Sequence, residues 1–185
     1  MTTMQQYFSG AAAAKVTQQG TGYSAGTEIG KGYAYNVLIK RNTVEKTRQG
    51  LLFLSKQEIL ATNEIGAKPG DIRDYKVWMS QETALGNLRG LCHAIMGYDE
   101  IADKIELYGA RGRVQQNIDA LLNFMVDESN PFEGVEVKLQ TVLRMSKKLR
   151  PGATEPSSYC FHSWSPVVTA TTAALREAAF KVIGL

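Results

Sequence analysis

A chain of 185 residues with 44% apolar content can bury one core, and a charged fraction of 21% is too low for a disordered polyelectrolyte. A net charge of +3 does not by itself fix a polyanionic partner, so the placement of charge has to decide. Two cysteines, Cys92 and Cys160, exclude a disulfide framework, and with no signal-peptide pattern at Met1–Gln6 and no apolar run near the ~18 residues of a membrane span, a cytoplasmic protein without membrane contacts is expected.

Residues 1–30 are rich in Ala, Gly, Gln, Ser and Thr and have almost no apolar periodicity, which predicts a flexible arm. From Lys31 the pattern alternates. Tyr33, Tyr35, Val37 and Ile39 share one face of a first strand, and Ala34, Asn36, Leu38 and Lys40 share the other. The polar stretch Arg41–Gly50 predicts a hairpin connection into a second extended run that opens with Leu51-Leu52-Phe53-Leu54 and reaches about Leu60. Lys68-Pro69-Gly70-Asp71 is a turn signal, and Asp74–Met79 reads as a third strand.

The period then becomes helical. Ala84, Leu85, Leu88, Leu91, Cys92, Ile95 and Met96 recur at helix spacing with Gly97 as the stop, and Val114, Ile118, Leu121, Leu122 and Met125 repeat the pattern up to a terminator at Asp127–Pro131. Beyond Gly134, Val135, Val137, Leu139, Thr141 and Leu143 alternate with polar residues in a fourth strand, and Tyr159–Trp164 predicts a fifth, ended by Pro166. Thr171–Ile183 has the spacing of a terminal amphipathic helix.

The string is mainly β with helices: a five-stranded OB-like barrel over residues 31–168, with a helical insertion between strands three and four and a C-terminal helix over 169–185. An α+β sandwich with an ordinary antiparallel sheet gives the same string.

Chemical motifs are thin. Gly26–Gly32 departs from a phosphate loop in its spacing and lacks the Ser or Thr that holds magnesium. Cys92-His93 and Cys160-Phe161-His162 lack zinc-ligand spacing. The scattered carboxylates suit caps and turns. The reading is a non-enzyme without cofactor or metal.

Gly32–Ile39, Gly50–Phe53, Lys68-Pro69-Gly70, Trp78, Ala84–Gly90, Asn130–Gly134 and Trp164-Ser165-Pro166, taken in this order, resemble the OB-fold single-stranded-DNA-binding proteins encoded by tailed phages. The resemblance runs from about Gly32 to Val167. It implies coating and protection of single-stranded DNA in replication or recombination within the cytoplasm of an infected bacterium, alongside phage replication proteins, and it supplies no catalytic residue. One departure stands out: many such binders finish in an acidic recruiting tail, whereas this chain finishes Phe180-Lys181-Val182-Ile183-Gly184-Leu185.

Unpaired strands are held by cations along the phosphates and by aromatic faces under the bases. The expected cations are Lys40, Arg41, Lys46 and Arg48 around the first hairpin, Lys76 on the third strand, and Arg144, Lys147, Lys148 and Arg150 around the last hairpin. Two basic loops closing on one strand of DNA is the expected arrangement. The expected stacking rings are Tyr33, Phe53, Trp78 and Trp164, with Trp78 favoured because it shares a strand face with Lys76. Self-association as a homodimer or along DNA is expected from the apolar terminal helix. The alternative is a non-catalytic interaction scaffold that uses the same helix.

Overall fold

The computed structural model describes residues 22–80, 84–97, 123, 125–147, 149 and 152–183. Its elements are β1 (Ala34–Thr47), β2 (Gly50–Thr62), β3 (Ile72–Trp78), α1 (Ala84–Met96), β4 (Glu136–Met145), β5 (Ser158–Pro166) and α2 (Ala170–Ile183). All ladders are antiparallel and the sheet order is β3-β2-β1-β4-β5, with β1 central. Among the described residues no ladder joins β3 to β5, so the sheet is open. The second helical pattern lies outside the described residues except for Asn123 and Met125.

β1 runs further than its composition suggests. Arg41–Gly50 was expected as a polar connection, but the strand continues to Thr47 and only Arg48 and Gln49 form the turn. The reason is that alternation resumes beneath the charge, one residue out of phase: Asn42 is buried and Val44, opposite Phe53, packs on the core. The Thr47 hydroxyl donates to the Gly50 carbonyl (2.8 Å) and accepts from the Gln49 N–H (3.1 Å), closing the turn. Gly50 takes a φ of 117°, where a side chain would be strained.

One face of the sheet is the core. Tyr35, Val37 and Ile39 on β1, Phe53 and Ile59 on β2, Tyr75 and Val77 on β3, Val137 and Leu139 on β4 and Trp164 on β5 are buried together. The sheet curls until its two edges face each other. Tyr75 meets Trp164 edge to face, with ring centroids 5.0 Å apart, and His162 at 5.6 Å. Buried Leu88, Leu91, Cys92 and Ile95 seat α1 against this core, chiefly on β5 and also on β3, β4 and α2. The helix stops at Gly97, which adopts a φ of 86° and donates to the Ala94 carbonyl.

Residues 22–33 pack on the sheet before β1 begins. Tyr23 and Ala25 are buried, and the Tyr23 hydroxyl donates to Gln57 Oε1 at 2.7 Å. The Ser24 carbonyl accepts from Thr141 Oγ1 and from the Tyr35 hydroxyl. Gly30, Lys31 and Tyr33 exchange backbone hydrogen bonds with Thr141 and Leu143, extending the pairing along β4. Residues 1–21 of the expected arm lie outside the described residues.

Candidate nucleic-acid interface

Two of the four rings expected to stack on bases belong to the core, and a third is covered on the outer face. Phe53 is fully buried, opposite Val44 and Val77 on the core face. Trp164 is 2% exposed and stands inward opposite Leu139. Trp78 does occupy the face opposite Tyr75, beside Lys76 and across from Leu52, but at 7% exposure it too is covered. A base cannot stack on a ring already covered, which corrects the expectation for all three. Tyr33 is half-buried and packs at the margin of the core.

An aromatic and cationic face lies instead on the outside of β4 and β5. Because Val137, Leu139 and Thr141 turn inward, Lys138, Gln140, Val142 and Arg144 turn outward, and the register sets them against Ser165, Ser163, Phe161 and Tyr159. The Arg144 guanidinium lies 3.8 Å from the centroid of the Phe161 ring, with Tyr159 directly opposite Arg144 on the neighbouring strand. Both rings are half-buried, and Arg144 is exposed and makes no ion pair among the described residues. Lys147 is exposed just beyond; Lys148 and Arg150 fall outside the described residues. Phe161 and Tyr159 were not among the expected stacking residues. Their signal was parity: once Trp164 is inside, residues 161 and 159 must point out.

The remaining cations divide by element. Lys40 pairs with Glu58 at 3.3 Å and Lys76 with Asp74 at 3.7 Å. Arg41, Lys46 and Arg48 are exposed and unpaired among the described residues. The two basic hairpins do not converge. Leu143, near the end of β4, bonds to Lys31 ahead of β1, while Arg48 follows the far end of β1, so the 14-residue strand separates the loops expected to close on one ligand.

The interior holds no activated nucleophile among the described residues. Cys160 Sγ lies 3.7 Å from His162 Nε2, but burial pushes the thiol up to about 11 and the imidazole down to about 4. Both groups are neutral near pH 7, the opposite of a thiolate–imidazolium pair. Among the described residues no three His, Cys, Asp or Glu side chains gather as a metal site, and no helix is long and apolar enough to cross a membrane. No protein-family model and no curated protein matches the chain.

Proposed function

We propose that this chain binds single-stranded DNA without sequence preference and without chemistry of its own, and that the outer face of β4 and β5 is where bases stack. The observation that carries the reading is the Arg144–Phe161–Tyr159 set: a planar cation against a ring, a second ring beside it, and no carboxylate paired with the cation among the described residues. Every base has a π-face, so such a surface holds single strands whatever their sequence, while Lys138 and Lys147 offer phosphate contacts along the same hairpin.

The fold supports the reading further. An open five-stranded sheet that curls until β3 and β5 rings touch, with a helix after β3 packed on both edge strands, is compatible with a partly open OB-like barrel. On this view the protein shields unpaired strands in replication or recombination, as the resemblance to phage single-strand binders implies.

The test is anisotropy of a labelled oligo-dT of about 30 nucleotides against the matching duplex. Tighter binding to the single strand, falling as salt rises, is expected. Phe161→Ala should weaken oligo-dT binding by about 1–3 kcal/mol, roughly 5- to 150-fold. Equal affinity of wild type and variant would remove the stacking face from the reading. No binding at low salt would leave the sheet as a protein-interaction scaffold.

A further inference from the structure

Two features remain outside the stacking face: a register shift in the middle of β1, and the loop Asn130–Gly134, whose sequence marks it as a signature without giving it a task. They meet at one point. Between Ile39, opposite Gln57, and Arg41, opposite Lys56, β1 carries one extra residue, Lys40. Ile39 and Asn42 both face inward, so Lys40 and Arg41, consecutive in sequence, both project from the outer face, where strict alternation would have turned one of them into the core.

The bulge is held from its other side. Asn130 Nδ2 donates to the Lys40 carbonyl at 2.7 Å, the Gly134 N–H donates to the Ile39 carbonyl at 2.8 Å, and the Ile39 N–H donates to the Val135 carbonyl at 2.9 Å. Asn130 does this with a φ of 50°, the left-handed region that asparagine tolerates, and Phe132 anchors the loop by burial. The result is a cost in charge. Arg41 stands directly opposite Lys56, both exposed, and like charges facing each other across a ladder destabilise a sheet. Of the nearby carboxylates, Glu58 pairs with Lys40 at 3.3 Å, and Asp74, which stands opposite Lys56 on β3, pairs with Lys76 at 3.7 Å, so among the described residues neither Arg41 nor Lys56 makes an ion pair.

We infer that the bulge builds a phosphate-binding site from Lys40, Arg41 and Lys56, with Asn130 as its positioning residue. The ligand is a phosphate oxyanion: two facing cations that make no ion pair among the described residues are relieved by an anion placed between them, and a guanidinium beside ammonium groups suits a phosphate. The inference rests on the single-strand reading in taking that phosphate from the backbone of the bound strand, which would then pass from the stacking face on β5 across β4 and β1 to β2.

The test uses a labelled abasic oligonucleotide of about 30 sugar-phosphates, which offers phosphates and no bases, beside oligo-dT, each titrated across a range of salt. The double variant R41Q/K56Q is expected to bind both strands more weakly, with its salt slope reduced by about 1.4, two single-strand phosphate contacts at about 0.7 each. Asn130→Gly keeps the backbone angle and loses the amide; it should shift the slope in the same direction, though it touches no ligand. Phe161→Ala should weaken oligo-dT alone. Inorganic phosphate added at constant ionic strength should compete poorly, because one ion lacks the neighbouring contacts of a polymer; full competition would make the site one for free phosphate. Because Arg41 and Lys56 repel, K56Q should melt no lower than wild type, which separates lost binding from lost folding. An unchanged salt slope in R41Q/K56Q would overturn the site even if oligo-dT binding and its Phe161 dependence stand. A reduced slope with no Phe161 effect would keep the site and remove the stacking face.

Discussion

His162 sits on the inner face of β5 against Tyr75, and its burial favours the neutral ring, lowering its pKa from 6.5 to about 4. The sign of the linkage follows. Between these values the unfolded chain takes up the proton and the folded chain does not, so the contribution is complete above pH 6.5 and is lost as pH falls through about 4. The full effect is at most about 3.5 kcal/mol, from about 1.4 kcal/mol per pH unit. Denaturant unfolding at pH 7, 5.5 and 4 should show this decline in the wild type and a shallower one in His162→Gln; parallel declines would contradict it. At this scale the sequence was least informative about burial. It placed aromatic rings on β1, β2, β3 and β5, but whether a ring is core or platform depends on what lies over it. Trp78 and Phe161 both stand on outer strand faces, and one is covered while the other carries Arg144.

Among the elements, strand existence and type were legible because period-2 alternation is strong in β1 and β4, and β5 is rich in aromatic strand formers ended by Pro166. The Lys68–Asp71 turn was legible too, with Gly70 at a φ of 91° and the Asp71 carboxylate accepting from the Lys68 N–H. What periodicity hides is an added residue. The Lys40 bulge leaves Arg41–Thr47 inside the strand when composition suggested a loop, since one extra residue restores the inward position of Asn42 and Val44. The segment before β1 was hidden for a different reason: its contacts are backbone hydrogen bonds and close approach, not apolar pattern. Gly32 lies so near β4 that a Cβ placed on it would fall 1.8 Å from the Thr141 carbonyl oxygen. Gly32→Ala should therefore lift residues 30–33 off β4 and lower stability by roughly 2–3 kcal/mol in thermal or chemical unfolding. A variant as stable as wild type would show that this pairing contributes little.

For the whole molecule, the sheet order decides what can act together. With β1 in the centre and the β1–β2 and β4–β5 hairpins at its opposite ends, a ligand is not gripped between two loops. It would be laid over an outer sheet surface, with stacking at β4–β5 and phosphate contacts on β1–β2. Topology of this kind cannot be read from a one-dimensional pattern, because neither the register of β4 on β1 nor the curl that brings Tyr75 to Trp164 leaves a periodic trace. It also changes which signal should report binding. Both tryptophans are buried, so a stacked base would not quench them directly. Phe161→Trp places an indole on the outer face under Arg144. Its fluorescence should be quenched by oligo-dT and left unchanged by an abasic strand of the same length, with anisotropy confirming that both are bound. An indole at residue 161 that stays bright while oligo-dT is bound would contradict the claim that bases stack on this face.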